Sequence, residues 1–225
     1  MTRPRMVYRP PRARQRLLLL GGGSAEGVCV GVEGPIGVGK TTLARLLAES
    51  LEATAVLEVV EGNPFLHHFY RDIRAYAFQT QLFFFLSRYR QQDAIRRVRE
   101  EGHSVVSDYI FAKDRLFARL NLDAEELDLY TRLYELIAPM TVQPVLVIYL
   151  TAQLQTLTDR IAHRDRPFER AIEPAYLSRL CDGYERFFDA YDDTALLRVD
   201  TDEVDIFTES DLKEILRYVD EAAVS

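Results

Sequence analysis

The sequence predicts an α/β fold, a five-stranded parallel sheet with helices on both faces, and three observations lead there. Short apolar runs alternate with longer stretches of helical period, which calls for parallel strands joined by helical crossovers. The run Pro144-Val145-Leu146-Val147-Ile148-Tyr149-Leu150 is nearly all apolar, as strands buried on both faces are. Finally, Gly34-Pro35-Ile36-Gly37-Val38-Gly39-Lys40-Thr41 satisfies G-x-x-x-x-G-K-[ST] between a strand-like run, Val28-Cys29-Val30-Gly31-Val32, and a helical one.

That octet predicts a P-loop NTPase fold. Glycine backbone lets the N–H groups from Gly34 to Gly39, with those of Gly37 and Val38 between, turn inward around phosphate oxygens. The helix beginning near Lys40 aims its positive end at the same anion. Lys40 is expected to reach the β/γ-phosphates and Thr41 to ligate Mg²⁺, with Thr42 beside them in the first turn. A nucleotide and Mg²⁺ are the ligands the octet leads one to expect; by itself it names no reaction.

The remaining elements follow in order. Ala55-Val56-Leu57-Glu58-Val59-Val60 reads as a second strand ending in acids, and Asn63-Pro64 as a turn opening a helix. Residues 75–101 read as one long helix, with Phe78, Leu82, Phe85 and Tyr89 on one face and Phe84 off it. One side can cover the sheet; the other invites a partner helix, so a homodimer is expected. Gly102 ends that helix, and 104–108 form a third strand with Asp108 at its end. Helices are expected over 111–120 and 124–138, the latter capped by Asp123. The strand at 144–150 leads to a helix over 153–163 and an arginine-rich link, 164–170. A helix over 174–191, a fifth strand at 196–199, Asp200-Thr201-Asp202 and a helix over 210–219 complete the chain.

At 225 residues the chain suits one domain, 28–225, preceded by a disordered basic extension over 1–27. Residues 1–16 carry six arginines and no acid, so the net charge of −7 leaves the remainder at −13, 22 basic against 35 acidic residues. An acidic body argues against nucleic acid as the main partner. No apolar run approaches the ~18 residues of a membrane span. Cys29 and Cys181 read as reduced thiols, in keeping with the cytoplasmic location expected, and the four histidines lack zinc-ligand spacing.

Strand ends of a parallel sheet face one crevice, which gathers Glu33, Glu58 or Glu61, and Asp108 beside the loop. The arginines Arg160, Arg164, Arg166 and Arg170 form the second signal. Arg164-Asp165-Arg166-Pro167 interrupts its helix, as suits a lid that closes over a transferring phosphoryl group.

These stretches, with Glu58-Val59-Val60-Glu61-Gly62-Asn63-Pro64-Phe65-Leu66, Phe69-Tyr70, Ala77-Phe78-Gln79 and Val199-Asp200-Thr201-Asp202, resemble the deoxynucleoside kinase family in its bacterial deoxyadenosine/deoxyguanosine-type branch. The resemblance spans about residues 28–207 and implies ATP-dependent phosphorylation of the 5′-hydroxyl of deoxyribonucleosides, with purines accepted. It implies Glu58 as general base, Tyr70 and Glu169 at the sugar 3′-hydroxyl, and Gln79 at the base edge. It also implies Asp108 at Mg²⁺ and substrate, Arg164 and Arg166 as catalytic lid arginines, and Arg160, Asp200 and Asp202 near the donor nucleotide.

Two departures stand out. Glu58-Val59-Val60 replaces the family's Glu-Pro-Val, which leaves Glu58 and Glu61 both open as the base. Asp108 is followed by Tyr109-Ile110, so the arginine of [DE]-R-S has no counterpart, and Lys113 or Arg115 is the candidate replacement. A nucleoside monophosphate kinase and a non-catalytic nucleotide-binding subunit are the rival readings. The first needs an arginine for the acceptor phosphate; the second fits poorly with an intact Lys40, Thr41 and Glu58.

Overall fold

A computed structural model describes residues 5–11 and 27–224. The sheet is built from β1 Met6–Arg9, β2 Cys29–Glu33, β3 Thr54–Val56, β4 Val105–Ser107, β5 Leu146–Thr151 and β6 Ala195–Asp200, in the spatial order β1-β6-β5-β2-β4-β3. Strands β2 to β6 are mutually parallel, and β1 joins β6 antiparallel. The sheet therefore has six strands, not the five the sequence predicts. The added one lies within the stretch expected to be a disordered extension, where four residues flanked by arginines and prolines give too short a pattern to read as a strand. The rest of that expected extension, 1–4 and 12–26, lies outside the described residues.

β2 lies between β4 and β5, so the chain changes sides around it and the crevice opens at the carboxyl ends of these strands. Both faces of the sheet are covered. Cys29 and Val105 pack with Ile95, whereas their neighbours Val30 and Val106 enter the main core, as alternation along a strand demands.

Helix α1, Lys40–Ser50, leaves the phosphate loop and buries Leu43, Ala44, Leu47 and Ala48 at i, i+1, i+4 and i+5. A short α2, Leu66–Phe69, precedes α3, Ile73–Glu100, which starts where Asp72 accepts the Ala75 N–H at 3.1 Å and stops before Gly102 at φ 85°. Much of the apolar surface of α3 packs within this chain, while Leu86 stays exposed. Phe85 meets Phe111 and Tyr130, and Phe84 lies under the guanidinium of Arg88.

Then come α4, Lys113–Asn121, and α5, Ala124–Ile137, the latter opened by a capping box between Asp123 and Glu126. Helices α6, Leu154–Arg164, α7, Pro174–Ala190, and α8, Glu209–Ala223, complete the fold. None of the helices among the described residues is long and apolar enough to cross a membrane.

Candidate active site

The glycine-rich loop runs from the end of β2 into α1, and its backbone explains its composition. Gly37 has φ 86°, and a Cβ there would sit 2.9 Å from Ile161 and 3.0 Å from the Leu157 carbonyl. Gly39, at φ 105°, is the N-cap of α1. The Lys40 ammonium folds back onto the carbonyls of Gly34, at 2.8 Å, and Pro35, at 3.1 Å.

Two cavities meet at this loop. One, of about 420 Å³, lies over the strand ends and is lined by Lys40, Thr41, Glu58, Tyr70, Gln81, Phe84, Arg88, Asp108, Lys113, Arg164, Arg166 and Glu169, among others. The other, of about 590 Å³, is lined by Val38, Gly39, Thr42, Arg160 and the 201–207 segment. Gly37 and Arg164 line both.

Four acids and two cations cluster at the base of the first cavity, and of these Glu58, Asp108, Arg88 and Lys113 line it. Glu58 Oε1 accepts Arg88 Nε at 2.7 Å, and Lys113 Nζ lies 3.0 Å from Oε1 and 3.1 Å from Oε2. Arg88 also reaches Asp114, and Lys113 lies 3.3 Å from Glu33. Glu33 in turn accepts the Tyr184 hydroxyl at 2.9 Å and the Gly34 N–H at 2.9 Å. Asp108 bridges two functions: its Oδ1 accepts the Glu58 backbone N–H at 2.7 Å and its Oδ2 the Thr41 hydroxyl at 2.6 Å. At the cavity wall Arg164 makes a two-point contact with buried Glu169, at 2.6 and 3.1 Å.

The sequence profile described as deoxynucleoside kinase matches residues 30–224. A deoxyguanosine kinase of Bacillus subtilis is 37% identical over 201 residues, covering 87% of this chain and 97% of the relative. A deoxyadenosine kinase of Lactobacillus acidophilus is 32% identical over 205 residues, covering 84% and 94%. Among solved structures, deoxyadenosine kinase from M. mycoides with bound dATP superposes with a TM-score of 0.74 at 22% identity, covering 86% of this chain and 99% of that one. The chain belongs to the deoxynucleoside kinase family.

For this kinase, burial by itself pushes the Glu58 carboxyl up, but Arg88 and Lys113 outweigh it and bring it down to about 2. Burial dominates at Asp114 and lifts it to about 6 against the same two cations. Burial also lowers the Lys40 ammonium, opposed by Glu33. The Tyr70 hydroxyl is pushed well up by burial, with Tyr176 and Glu169 adding to it.

The two candidate glutamates, and the two candidate cations, lie in different surroundings. Glu58 sits in the cation cluster, while Glu61 is exposed at the rim, 3.6 Å from Arg166. Lys113 lines the cavity; Arg115 points elsewhere, over the Tyr134 ring.

Three of the predicted site residues do not line the cavity expected of them. Gln79 is exposed and outside the cavity, because the face of α3 turned inward carries Ala77, Thr80, Gln81, Phe84 and Arg88. Gln81 is the buried amide there, donating to Asp114 Oδ1 at 3.0 Å and the Tyr130 hydroxyl at 3.1 Å. Asp200 does not line the second cavity; its carboxylate closes a turn by accepting the Asp202 N–H at 3.0 Å. Asp202 does line it, with its carboxylate on the Gln153 N–H at 2.6 Å. Gly34 lies at the loop's base and lines neither cavity.

Arg88 and Asp114 match none of the motifs that the sequence displays. Arg88 lies seven residues after Gln81, on the same helical face, and a cation on an otherwise greasy stripe was the available signal.

Proposed function

We propose that this kinase transfers the γ-phosphoryl group of ATP to the 5′-hydroxyl of a purine deoxyribonucleoside, in the cytoplasm. The observation that carries the reading is the junction of the two cavities at the phosphate loop, with Glu58 on the acceptor side. ATP lies with its base against 201–207 and its phosphates on the loop, where Lys40 exchanges the carbonyls of Gly34 and Pro35 for phosphate oxygens. The deoxynucleoside occupies the first cavity, its base edge at Gln81, whose amide offers donor and acceptor together. Its sugar lies near Tyr70 and Glu169.

Glu58, ionised and held by Arg88 and Lys113, accepts the 5′-hydroxyl proton as that oxygen attacks in line. Lys113 then lies next to the transferring group and takes the part of the missing arginine. Arg164 and Arg166 close over the phosphates as a lid, and Arg160, now on Thr201 at 2.8 Å, borders the donor. The rate comes from positioning and charge stabilisation, with little covalent work for the protein.

Mg²⁺ fits the residues present. No group of three or more His, Cys, Asp or Glu able to hold a metal occurs among the described residues. Magnesium sites at nucleotides, however, need one or two protein oxygens beside the substrate phosphates. Thr41 and Asp108, already in contact, would hold it, and the ion would neutralise negative charge on the phosphates during transfer.

Exposed Leu86, Leu129 and Leu136, on α3 and α5, support a homodimer built on that side. The catalytic reading is tested by steady-state turnover with ATP and each of the four deoxynucleosides, set against their monophosphates. Faster turnover of deoxyadenosine or deoxyguanosine supports it; turnover of monophosphates alone would transfer the chain to the rival kinase class.

A further inference from the structure

Residues 5–9 lie outside the stretch matched by the family profile, 30–224, yet they bond to residues that flank or anchor the 201–207 segment lining the second cavity. β1 pairs with β6 from Met6 opposite Val199 to Arg9 opposite Leu196. Just before it, the Arg5 carbonyl accepts the Asp200 N–H at 3.1 Å, one residue ahead of the 201–207 segment. Further along that segment the Asp205 N–H donates to Asp211 Oδ2 at 2.9 Å. The other oxygen of the same carboxylate accepts the Arg5 guanidinium. One residue thus fixes the segment at its entry through its backbone and at Asp205 through Asp211. Tyr8 stacks on Tyr218 of α8, ring centroids 5.2 Å apart, which ties the strand to the helix that carries Asp211. Other anchors of the segment are the Val204 N–H on the Asp200 carbonyl, 2.9 Å, and Arg160 on Thr201.

We propose that Arg5 is a positioning residue for the donor nucleotide: the N-terminal strand holds 201–207 in the shape that lines the donor cavity, and ATP affinity depends on it. This rests on the reading of that cavity as the ATP site. The simpler role for β1, covering the open edge of β6, would affect stability alone.

The test is calorimetric titration of the full-length parent, Arg5→Ala, Arg5→Lys and a form lacking residues 1–9, with ATP and separately with deoxyguanosine, alongside thermal melts. Arg5→Ala is expected to weaken ATP binding about fivefold, the size suited to a partly exposed ion pair. Deoxyguanosine affinity is expected to stay within twofold, Arg5→Lys to recover part of the loss, and the shortened form to lose at least as much as Arg5→Ala. ATP affinity within twofold of the parent in both Arg5→Ala and the shortened form, whatever the melts show, would overturn the proposal. A parent that binds no ATP would overturn the donor-site reading itself, an outcome distinct from the first.

Discussion

Asp108 holds the backbone N–H of Glu58 at 2.7 Å with one oxygen while its other oxygen holds the Thr41 hydroxyl at 2.6 Å. The phosphate loop and the proposed base are thereby registered through a single carboxylate. Asp108→Ala is expected to lower kcat by ~10²-fold or more and to raise the Mg²⁺ concentration needed for half-maximal rate, since both metal and base lose their support. A magnesium titration of initial rates reads both effects.

Glu58→Gln keeps the side chain's shape and removes its basicity. Turnover should fall by ~10²-fold or more, as loss of a general base typically brings, while ATP binding persists. Glu61→Gln, at the exposed rim, should stay within twofold. The reverse pattern would move the base to Glu61.

The Glu58 carboxyl, brought to about 2 from 4.5, is ionised throughout the working range. Because its folded value is depressed, the stability it contributes is present above about pH 4.5 and is lost as pH falls toward 2. Lys113→Met removes one of the two cations responsible, so the carboxyl rises and the acid limb of kcat/KM moves to higher pH. Profiles of the parent and variant, recorded side by side, check this; an unmoved limb would mean Lys113 does not act on Glu58.

Asp114 is displaced the opposite way, to about 6, by burial. Its ion anchors the Gln81 amide, so protonation as pH falls below 6 should loosen the base-edge contact. The deoxynucleoside KM is expected to rise severalfold between pH 7 and 5 while the ATP KM changes little, and Asp114→Asn should flatten that dependence. Its raised folded value also means that the stability it lends is full below about pH 3.8 and is lost as pH climbs through 6.

Gly37→Ala tests the loop. A methyl group 2.9 Å from Ile161, on backbone with φ 86°, must displace either the loop or α6. ATP affinity should drop at least tenfold by calorimetry.

Much of this was legible in the chain itself. The phosphate loop announces itself because few sequences place glycines where φ must be positive and then a lysine and a threonine at a helix start. The strand at 146–151 and the Asp123 cap rest on equally local rules, apolar runs and side-chain reach. The resemblance points to Gln79, whereas Gln81 is the amide that lines the cavity, because a short motif cannot say which side of a long apolar helix faces inward; that is set by where Phe111 and Tyr130 pack. β1 is hard to read from sequence for a related reason. Met6 to Arg9 have little burial of their own, and only the open edge of β6 makes them a strand. Asp200 sits at a strand's end as expected, but its side chain satisfies a turn rather than a ligand, a local choice invisible in the residue type.

The most direct measurement is ³¹P NMR of the product formed from ATP and deoxyguanosine or deoxyadenosine. A phosphomonoester coupled to the two 5′ protons, appearing in step with ADP, is the predicted result. ADP accompanied only by inorganic phosphate, or phosphate carried on any other oxygen, would contradict it.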